Sequence, residues 1–475
     1  MEQPRSASVL AQYPQPDTAR LSAALAAEAN ANQRKIIVLD DDPTGVQTVH
    51  DIFVYTDWSI ESLRKGFAAP EKLFFILTNS RGFTVAETTK AHIEIAEHVD
   101  QVAREFGMDY LIISRGDSTL RGHYPLETDL LRQVAEKKGG FAMDGEILCP
   151  YFKEGGRFTL DNVHYVRYGD ELVPCGQTEF AKDETFGYTS SNLCDYIEEK
   201  TAGKFRAGDV TCISLESLRA LDFDGIEAQL LAVHDFGKVV VNAVEDCDVQ
   251  AFAVALYRAM AKGRHFTIRC AAALVKAIGN ISSQPLLSRE QMVTLKSSAG
   301  GIIVVGSHTK KTTAQLEELK NVPGIEFIEM DSDKVLIPGA LEQEAASIIE
   351  RCAQLIQQGV TCCVSTKRTV LTLPDDTPEA ALVRSVAISD ALQSCVGKLP
   401  VTPAFVVAKG GITSSDVGVK ALRVQCARVL GQIRPGIPVW QTGPESLFPG
   451  TPYVIFPGNV GEVSTLREAV EILLG

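Results

Sequence analysis

Continuous apolar runs that alternate with amphipathic segments limit what the first half of this chain can fold into. Residues 36–39, Leu73–Leu77 and 110–113 are apolar runs of this kind, as expected of strands covered on both faces. Between the last two runs, Val85–Phe106 places apolar side chains on one helical face, which is typical of an amphipathic helix. This strand–helix–strand alternation predicts a parallel sheet with helices on both sides.

A second alternation of the same kind begins after residue 300. Strands are predicted at 301–305, Ile325–Met330, 360–365, 403–408 and 453–456, and helices at 312–319, 341–357, 417–430 and from Val463 onward. Residues 140–190 are rich in Gly, Tyr and Phe and predict hairpins and loops, whereas 282–300 lacks a strong period and indicates a domain boundary. We therefore predict an N-terminal extension at 1–34 and two α/β domains with mainly parallel sheets, at 35–290 and 291–475.

The composition argues against several classes of protein. The formal net charge of the 475 residues is -14, and no dense Lys/Arg stripe offsets it, so nucleic acid is not expected as a partner. No apolar run approaches the roughly 20 residues that cross a bilayer, and no secretory signal is evident. The eight histidines and 11 cysteines show no ligand spacing, so no metal ligands are assigned. We expect a cytoplasmic protein. Whether it forms a homodimer stays an open question.

Polar residues follow each apolar run of the first half, where the predicted strands end. Adjacent carboxylates repel one another and are costly to desolvate, so three of them after a buried strand indicate a site. Arginine binds carboxylates in a bidentate way, while Asp, Ser and Thr bind hydroxyls. Because parallel strands end at one edge of the sheet, we expect these residues to converge, although a structural network of salt bridges is the alternative. They are Asp40, Asp41 and Asp42 after the first run, Arg81 after the second, and Arg115, Asp117, Ser118, Thr119 and Arg121 after the third.

Three loops of the second half each combine a predicted strand end, a glycine and a helix start. Glycine lets the backbone approach a ligand closely, and the free N–H groups of a helix start attract phosphate. A tight connection with a helix cap is the alternative for any single loop. The Walker pattern and a well-placed G-x-G-x-x-G are both absent. The loops span 304–309, 408–416 and 456–462, and their candidate residues are Ser307, Gly410, Gly411, Ile412, Thr413 and Gly458.

Several of these segments are similar to motifs of one known family. Taken in order, they resemble the four-carbon acid sugar kinase family, whose founding members phosphorylate threonate, erythronate and 3-oxo-tetronates with ATP. The matching segments are Asp-Asp-Pro-Thr-Gly at 41–45, Asp-Ser-Thr-Leu-Arg-Gly at 117–122, Cys-Pro-Tyr-Phe at 149–152, Glu-Phe-Ala-Lys-Asp at 179–183, Gly-Ser at 306–307, Gly-Gly-Ile-Thr-Ser at 410–414 and Pro-Gly-Asn-Val-Gly at 457–461.

The resemblance implies an N-terminal domain that binds the acid sugar and a C-terminal domain that binds ATP, facing each other across a cleft. Arg81, Arg115 or Arg121 would bind the substrate carboxylate, with Asp41 and Ser118 nearby. Asp117 or Asp42 would orient or deprotonate the attacking hydroxyl, and which of the two does so stays open. Ser307, Gly410, Gly411, Ile412, Thr413 and Gly458 would hold ATP, with Mg²⁺ bridging its phosphates.

The chain also departs from the family pattern. Pro43 replaces the usual Leu, Ile412 replaces a Glu, and Arg115-Gly116 replaces a Lys-Ile pair. Phe456 stands where many members have a Lys, which predicts that one phosphate-neutralising charge is missing. Two other functions are weighed against a kinase. A non-catalytic sensor of an anionic metabolite would not need the clustered acids, and an NAD-dependent oxidoreductase would need a dinucleotide fingerprint that the early strand does not supply.

Overall fold

The computed structural model describes residues 2–294, 297–374, 376–458 and 460–475. They form two compact units, each of which the chain enters twice. The N-terminal unit comprises Met1–Gly45 and Asp57–Ser283, and the C-terminal unit comprises Val46–Thr56 and Gln284–Gly475.

The secondary structure alternates between strands and helices through most of the chain. The strands are β1 Arg5–Ser6, β2 Lys35–Asp40, β3 Ile52–Tyr55, β4 Leu73–Leu77, β5 Tyr110–Arg115, β6 Gly145–Cys149, β7 Arg157–Leu160, β8 Val163–Tyr168, β9 Glu171–Pro174, β10 Thr211–Ile213, β11 Gly237–Val241, β12 Phe266–Cys270, β13 Ile302–Val305, β14 Ile325–Met330, β15 Thr361–Thr366, β16 Val406–Lys409, β17 Cys426–Arg434, β18 Ile437–Thr442 and β19 Pro452–Phe456. The helices are α1 Thr18–Ala31, α2 Ile60–Ala68, α3 Val85–Phe106, α4 Leu126–Gly139, α5 Leu193–Lys200, α6 Leu215–Arg219, α7 Phe223–Ala232, α8 Asp246–Ala261, α9 Ala272–Ile278, α10 Arg289–Met292, α11 Lys310–Leu319, α12 Ala340–Gln357, α13 Pro378–Gly397, α14 Gly411–Asp416 and α15 Thr465–Leu474.

A parallel sheet forms the centre of the N-terminal unit. Its strands run in the order β10-β11-β6-β12-β5-β2-β4, with parallel pairing throughout. Strands β2 and β4 are buried along their whole length, which explains their continuous apolar sequence. Helix α3 begins at a capping box formed by Thr84 and Glu87 and ends at Gly107, whose φ of 62° suits glycine. The predicted parallel α/β architecture is confirmed.

The region around 140–190 forms a second, antiparallel sheet in the same unit. Its order is β1-β9-β8-β7, and the predicted hairpins of this region are thereby confirmed. The first 34 residues supply β1 and α1. Leu21 and Leu25 of α1 are buried, and Glu28 pairs with Arg258 of α8 at 2.8 Å, so this segment packs on the N-terminal unit.

The sheet of the C-terminal unit is parallel on one side and antiparallel on the other. Its order is β3-β17-β18-β19-β16-β13-β15-β14. The pairs from β19 to β14 are parallel, whereas β3, β17, β18 and β19 pair antiparallel. Strand β3 comes from the segment Val46–Thr56, which interrupts the N-terminal unit in sequence.

The helix predicted at 417–430 is wrong. Only Val417–Ala421 continues helically after α14, and Cys426–Arg434 is strand β17. Burial alternates along this strand, with Ala427, Val429 and Ile433 inside. That is the period of an antiparallel strand rather than of a helix.

Within the described residues, we find no helix that is both long enough and apolar enough to span a membrane.

Candidate active site

The three acids at the end of β2 lie among arginines from neighbouring strands. Arg81 Nη2 donates to Asp41 Oδ1 at 2.7 Å, and Arg81 Nη1 donates to Asp42 Oδ2 at 3.1 Å. Burial alone would raise the pKa of the Asp42 carboxyl, but Arg81 and two hydrogen bonds from Thr44 outweigh it and lower that pKa. Asp42 is therefore an ionised acceptor at neutral pH.

Asp40, like Asp41, is almost wholly buried. Arg115 Nη1 donates to Asp40 Oδ1 at 3.1 Å, and a side chain at Gly45 would collide with the Asp40 carboxylate. Burial raises the pKa of Asp40 to about 7, although Arg115 acts in the opposite direction. Because the Arg115 side chain is only 4% exposed, it is a buried partner that positions Asp40.

The loop after β5 folds back on its own carboxylate. Thr119 N–H donates to Asp117 Oδ1 at 3.2 Å, and the Thr119 hydroxyl also donates to this carboxylate. Arg121 Nε donates to Asp117 Oδ2 at 2.7 Å, and Arg121 Nη1 lies 3.7 Å from Asp183 Oδ2. Burial opposes ionisation of Asp117, yet Arg81, Arg121 and Thr119 hold its pKa far below the usual range. Asp117 is thus a permanent carboxylate.

A buried pair beneath this loop escaped the sequence analysis. Arg269 of β12 pairs with Glu127 of α4, and Ser80 Oγ donates to Glu127 Oε1 at 2.8 Å. Burial would raise the pKa of Glu127, but Arg269 and His92 outweigh it and lower the value to about 2. A side chain at Gly116 would collide with the Arg269 guanidinium, so the loop glycine makes room for it. Neither Arg269 nor Glu127 belongs to a recognisable sequence motif, and only the strand order brings them together.

The structure therefore joins the polar ends of β2, β4 and β5 in one cluster, as predicted. The structure also pairs each predicted arginine with carboxylates, which is what the alternative interpretation, a structural network of salt bridges, predicted. Arg81 and Arg121 keep 24% and 25% of their side chains exposed, against 4% for Arg115. Ser118 is anchored by its carbonyl, which accepts a hydrogen bond from His164 Nε2 at 2.8 Å. Arg81 and Arg121 are the arginines that a ligand can reach.

In the C-terminal unit the three glycine-containing loops also meet. They leave β13, β16 and β19, which are adjacent parallel strands. A side chain at Gly410 would come within 3.1 Å of Ser307 Cβ, and one at Gly458 within 3.1 Å of Ser307 Oγ. Thr309 and Thr312 hydroxyls donate to the Gly458 carbonyl at 3.2 and 3.0 Å. The loops form one narrow cradle of backbone and hydroxyl groups.

The remaining predicted residues of this cradle differ in exposure. Thr413 is buried, and Gly411 begins α14. Ile412 is 76% exposed, so an apolar side chain faces solvent where the family pattern has a Glu. Asn459, which belongs to the third loop, lies outside the described residues.

Two cations beside the cradle were missed by sequence reasoning. Lys409, at the end of β16, reaches the third loop and lies over the ring of Phe456. Arg368 follows β15 and donates to the Ser307 carbonyl. Lys409, from the neighbouring strand, therefore lies against the ring that stands where the family pattern has a Lys. A lysine just before Gly-Gly was the available sequence signal.

The described residues contain no group of three or more His, Cys, Asp or Glu side chains placed to hold a metal ion. Mg²⁺ in phosphoryl-transfer sites is usually held by substrate phosphates and one or two carboxylates rather than by a protein cage. An ion of this kind would enter with the nucleotide and be held mainly by its phosphates.

Comparisons with known proteins match both units. Residues 36–278 match a family model described as a sugar-binding N-terminal domain. Residues 302–466 match one described as a nucleotide-binding C-terminal domain. The D-threonate kinase of Salmonella typhimurium is 23% identical over 369 residues, which cover 76% of this chain and 80% of that protein.

Two solved structures share the fold. A Haemophilus influenzae protein of the DUF1537 family aligns with a TM-score of 0.61 and 17% identity, over 92% of this chain and 100% of that one. A Salmonella typhimurium protein provisionally called a tRNA synthase aligns with a TM-score of 0.65 and 15% identity, over 91% and 98% of the two chains. At these identities the likeness establishes the fold alone.

Proposed function

Since the chain belongs to the four-carbon acid sugar kinase family, we propose that it transfers the terminal phosphoryl group of ATP to a hydroxyl of a small acid sugar, such as a tetronate or 3-oxo-tetronate. The observation that supports this most is the cluster of acids and partly exposed arginines at the ends of β2, β4 and β5. A site that binds a hydroxylated carboxylic acid needs both kinds of group.

In this proposal Arg81 and Arg121 bind the carboxylate of the acid sugar. Each already pairs with an acid through part of its guanidinium, so the fork is held in place before substrate arrives. Preorganised donors of this kind lose little conformational entropy on binding. Arg115 positions Asp40. Ser118 and Asp41 complete the acid-sugar site.

Asp117 or Asp42 accepts the hydrogen bond of the attacking hydroxyl. Both carboxylates have lowered pKa values, which makes them weak bases and steady acceptors. Phosphoryl transfer demands little of a base, because its transition state is loose and depends mainly on positioning and charge neutralisation. Orientation of the hydroxyl is therefore the role that these carboxylates suit.

The cradle of the C-terminal unit holds the phosphates of ATP. Ser307, Thr413 and the glycine backbones at 410, 411 and 458 supply close-approach donors, and Ile412 lies at the rim. Mg²⁺, when bound with the nucleotide, neutralises the charge that develops on the phosphates.

The direct test is to incubate the protein with ATP, MgCl₂ and each of a panel of tetronates and 3-oxo-tetronates, and to measure ADP. Formation of ADP that depends on one of the acid sugars is the expected result. ATP binding without ADP formation with any acid sugar would favour a non-catalytic sensor. The Asp117→Asn variant serves as the matched negative control.

A further inference from the structure

Lys409 is a buried amine with unusual surroundings. Its side chain is fully buried at the end of β16. The Nζ atom donates to the carbonyls of Pro457 and Gly458 at 2.5 and 3.3 Å, and lies 4.1 Å from the centre of the Phe456 ring. The amine therefore holds the third glycine loop by two of its backbone carbonyls.

No carboxylate within the described part of the chain forms an ion pair with Lys409. The flanking strands β13 and β19 carry no charged residue. Lys311 of α11, which follows Lys310, is a like charge that acts on Lys409. The acids of the adjoining elements pair elsewhere: Glu317 with Lys320, Glu318 and Glu471 with Arg467, Glu468 with Arg434, and Asp416 with Lys420, while Glu462 of the third loop has no ion pair among the described residues.

A lysine in such a place resists protonation. Burial is the main reason why the pKa of Lys409 falls to about 7, and repulsion from Lys311 adds to it. An anion in the cradle would supply the missing counter-charge, because Gly458 belongs to the loop that Lys409 holds and Ser307 lies against it. An opposite charge placed near a buried amine restores its charged form.

We infer that Lys409 is the buried counter-cation of the bound phosphates, so that nucleotide binding is coupled to uptake of one proton from solvent at Nζ. The neutral amine gains the proton and becomes an ammonium, and no other bond changes. Lys409 is a positioning residue, since it acts on the phosphates through the loop carbonyls it holds. This inference rests on the proposed nucleotide site.

Isothermal titration with ADP and MgCl₂ at pH 8, in Tris and in HEPES, tests it without any variant. A terminal phosphate, whose second pKa is about 6, is already ionised at pH 8. The difference in observed enthalpy between buffers of unequal ionisation enthalpy gives the protons taken up. We expect close to one proton per ADP, and a dissociation constant that rises by up to about tenfold from pH 8 to pH 9.

Variants separate this coupling from binding itself. Lys409→Arg keeps a charge that does not titrate, so it should bind ADP with no proton uptake. Lys409→Met should weaken ADP binding without uptake, whereas Lys398→Met, at an exposed lysine of the same unit, should behave like the unaltered protein. ADP binding with no uptake at pH 8 would overturn the inference and leave the kinase intact. Absence of any ADP binding would overturn both.

Discussion

The arginines of the N-terminal cluster face carboxylates, whereas the cations beside the C-terminal cradle face carbonyl oxygens. Arg81, Arg115 and Arg269 each hold a buried or half-buried acid. Lys409 and Arg368 instead donate to loop carbonyls. An ion pair already has its counter-charge inside the protein, whereas a basic side chain that meets only carbonyl oxygens gains one when an anion binds. The two units thus differ in where their basic side chains find a negative charge.

The largest effect is expected from one of the two carboxylates proposed to accept the attacking hydroxyl. Asp117→Asn should lower kcat by about 10²- to 10⁴-fold, because Arg121 loses its partner and the hydroxyl loses its acceptor. The KM for ATP should barely change. Steady-state kinetics measure both, with Asp195→Asn as a control, since Asp195 is an exposed acid of the same unit. Near-normal turnover in both Asp117→Asn and Asp42→Asn would eliminate the proposed role.

Deleting an arginine should have opposite consequences in the two units. Arg269→Met leaves Glu127 buried without its guanidinium partner, which should cost about 3–5 kcal/mol of stability. Arg368→Met leaves no buried acid, so it should raise the KM for ATP while stability changes by less than about 1 kcal/mol. Hydrogen exchange of peptides from each unit measures the first effect, and kinetics the second. Equal destabilisation by both changes would contradict the comparison.

A glycine substitution tests how closely the cradle must approach its ligand. Gly410 has a φ of 125°, and an added Cβ would lie 3.1 Å from Ser307 Cβ and from Thr413 Oγ1. Gly410→Ala should raise the KM for ATP roughly tenfold to a hundredfold, given a strain of about 1–3 kcal/mol. Gly324→Ala is the matched control, because Gly324 has a φ of 80° with nothing within 4 Å of the added carbon. If both variants keep their ATP kinetics, the loop is not a phosphate site.

The smallest effect should appear on acidification of the N-terminal unit. The pKa of Glu127 is about 2 in the folded protein and about 4.3 in an unfolded chain. A lowered carboxyl pKa contributes stability above pH 4.3 that is lost as the pH falls toward 2. Between pH 5 and pH 3 the loss should be about 1.5 kcal/mol. Hydrogen exchange of α4 at the two pH values should show it, and Glu127→Gln should remove this part of the pH dependence.

Local patterns were enough to predict much of the fold. Leu73–Leu77, Val85–Phe106 and Ile325–Met330 were predicted with the bounds that the structure has, because each has a single clear period. The part of Cys426–Arg434 up to residue 430 was assigned to a helix, since its alternation is short and comes soon after the helical Val417–Ala421. Its strand form depends on pairing with β3 and β18, which no local pattern reveals.

The candidate site was predictable only where one segment contains its own signal. The acids at 40–42 and the loop at 117–122 combine a strand end with charged residues in sequence, and the structure brings them together. Arg269 and Glu127 are single charged residues on a strand and a helix, and their pairing follows from β12 lying beside β5. The sequence could not show that these arginines pair with carboxylates, because ion pairs between strands depend on the three-dimensional fold. Their roles with substrate stay predictions.

The early strand β3 has a consequence for biosynthesis. It leaves the ribosome long before its partner, since Val54 pairs with Ala427, so the hydrophobic stretch Ile52–Tyr55 must wait through the synthesis of most of the polypeptide. A gene fragment that starts at residue 284 would leave β17 with an open edge, which invites aggregation. Recombinant production of the nucleotide half alone would therefore require residues 46–56 to be grafted back as a leading segment.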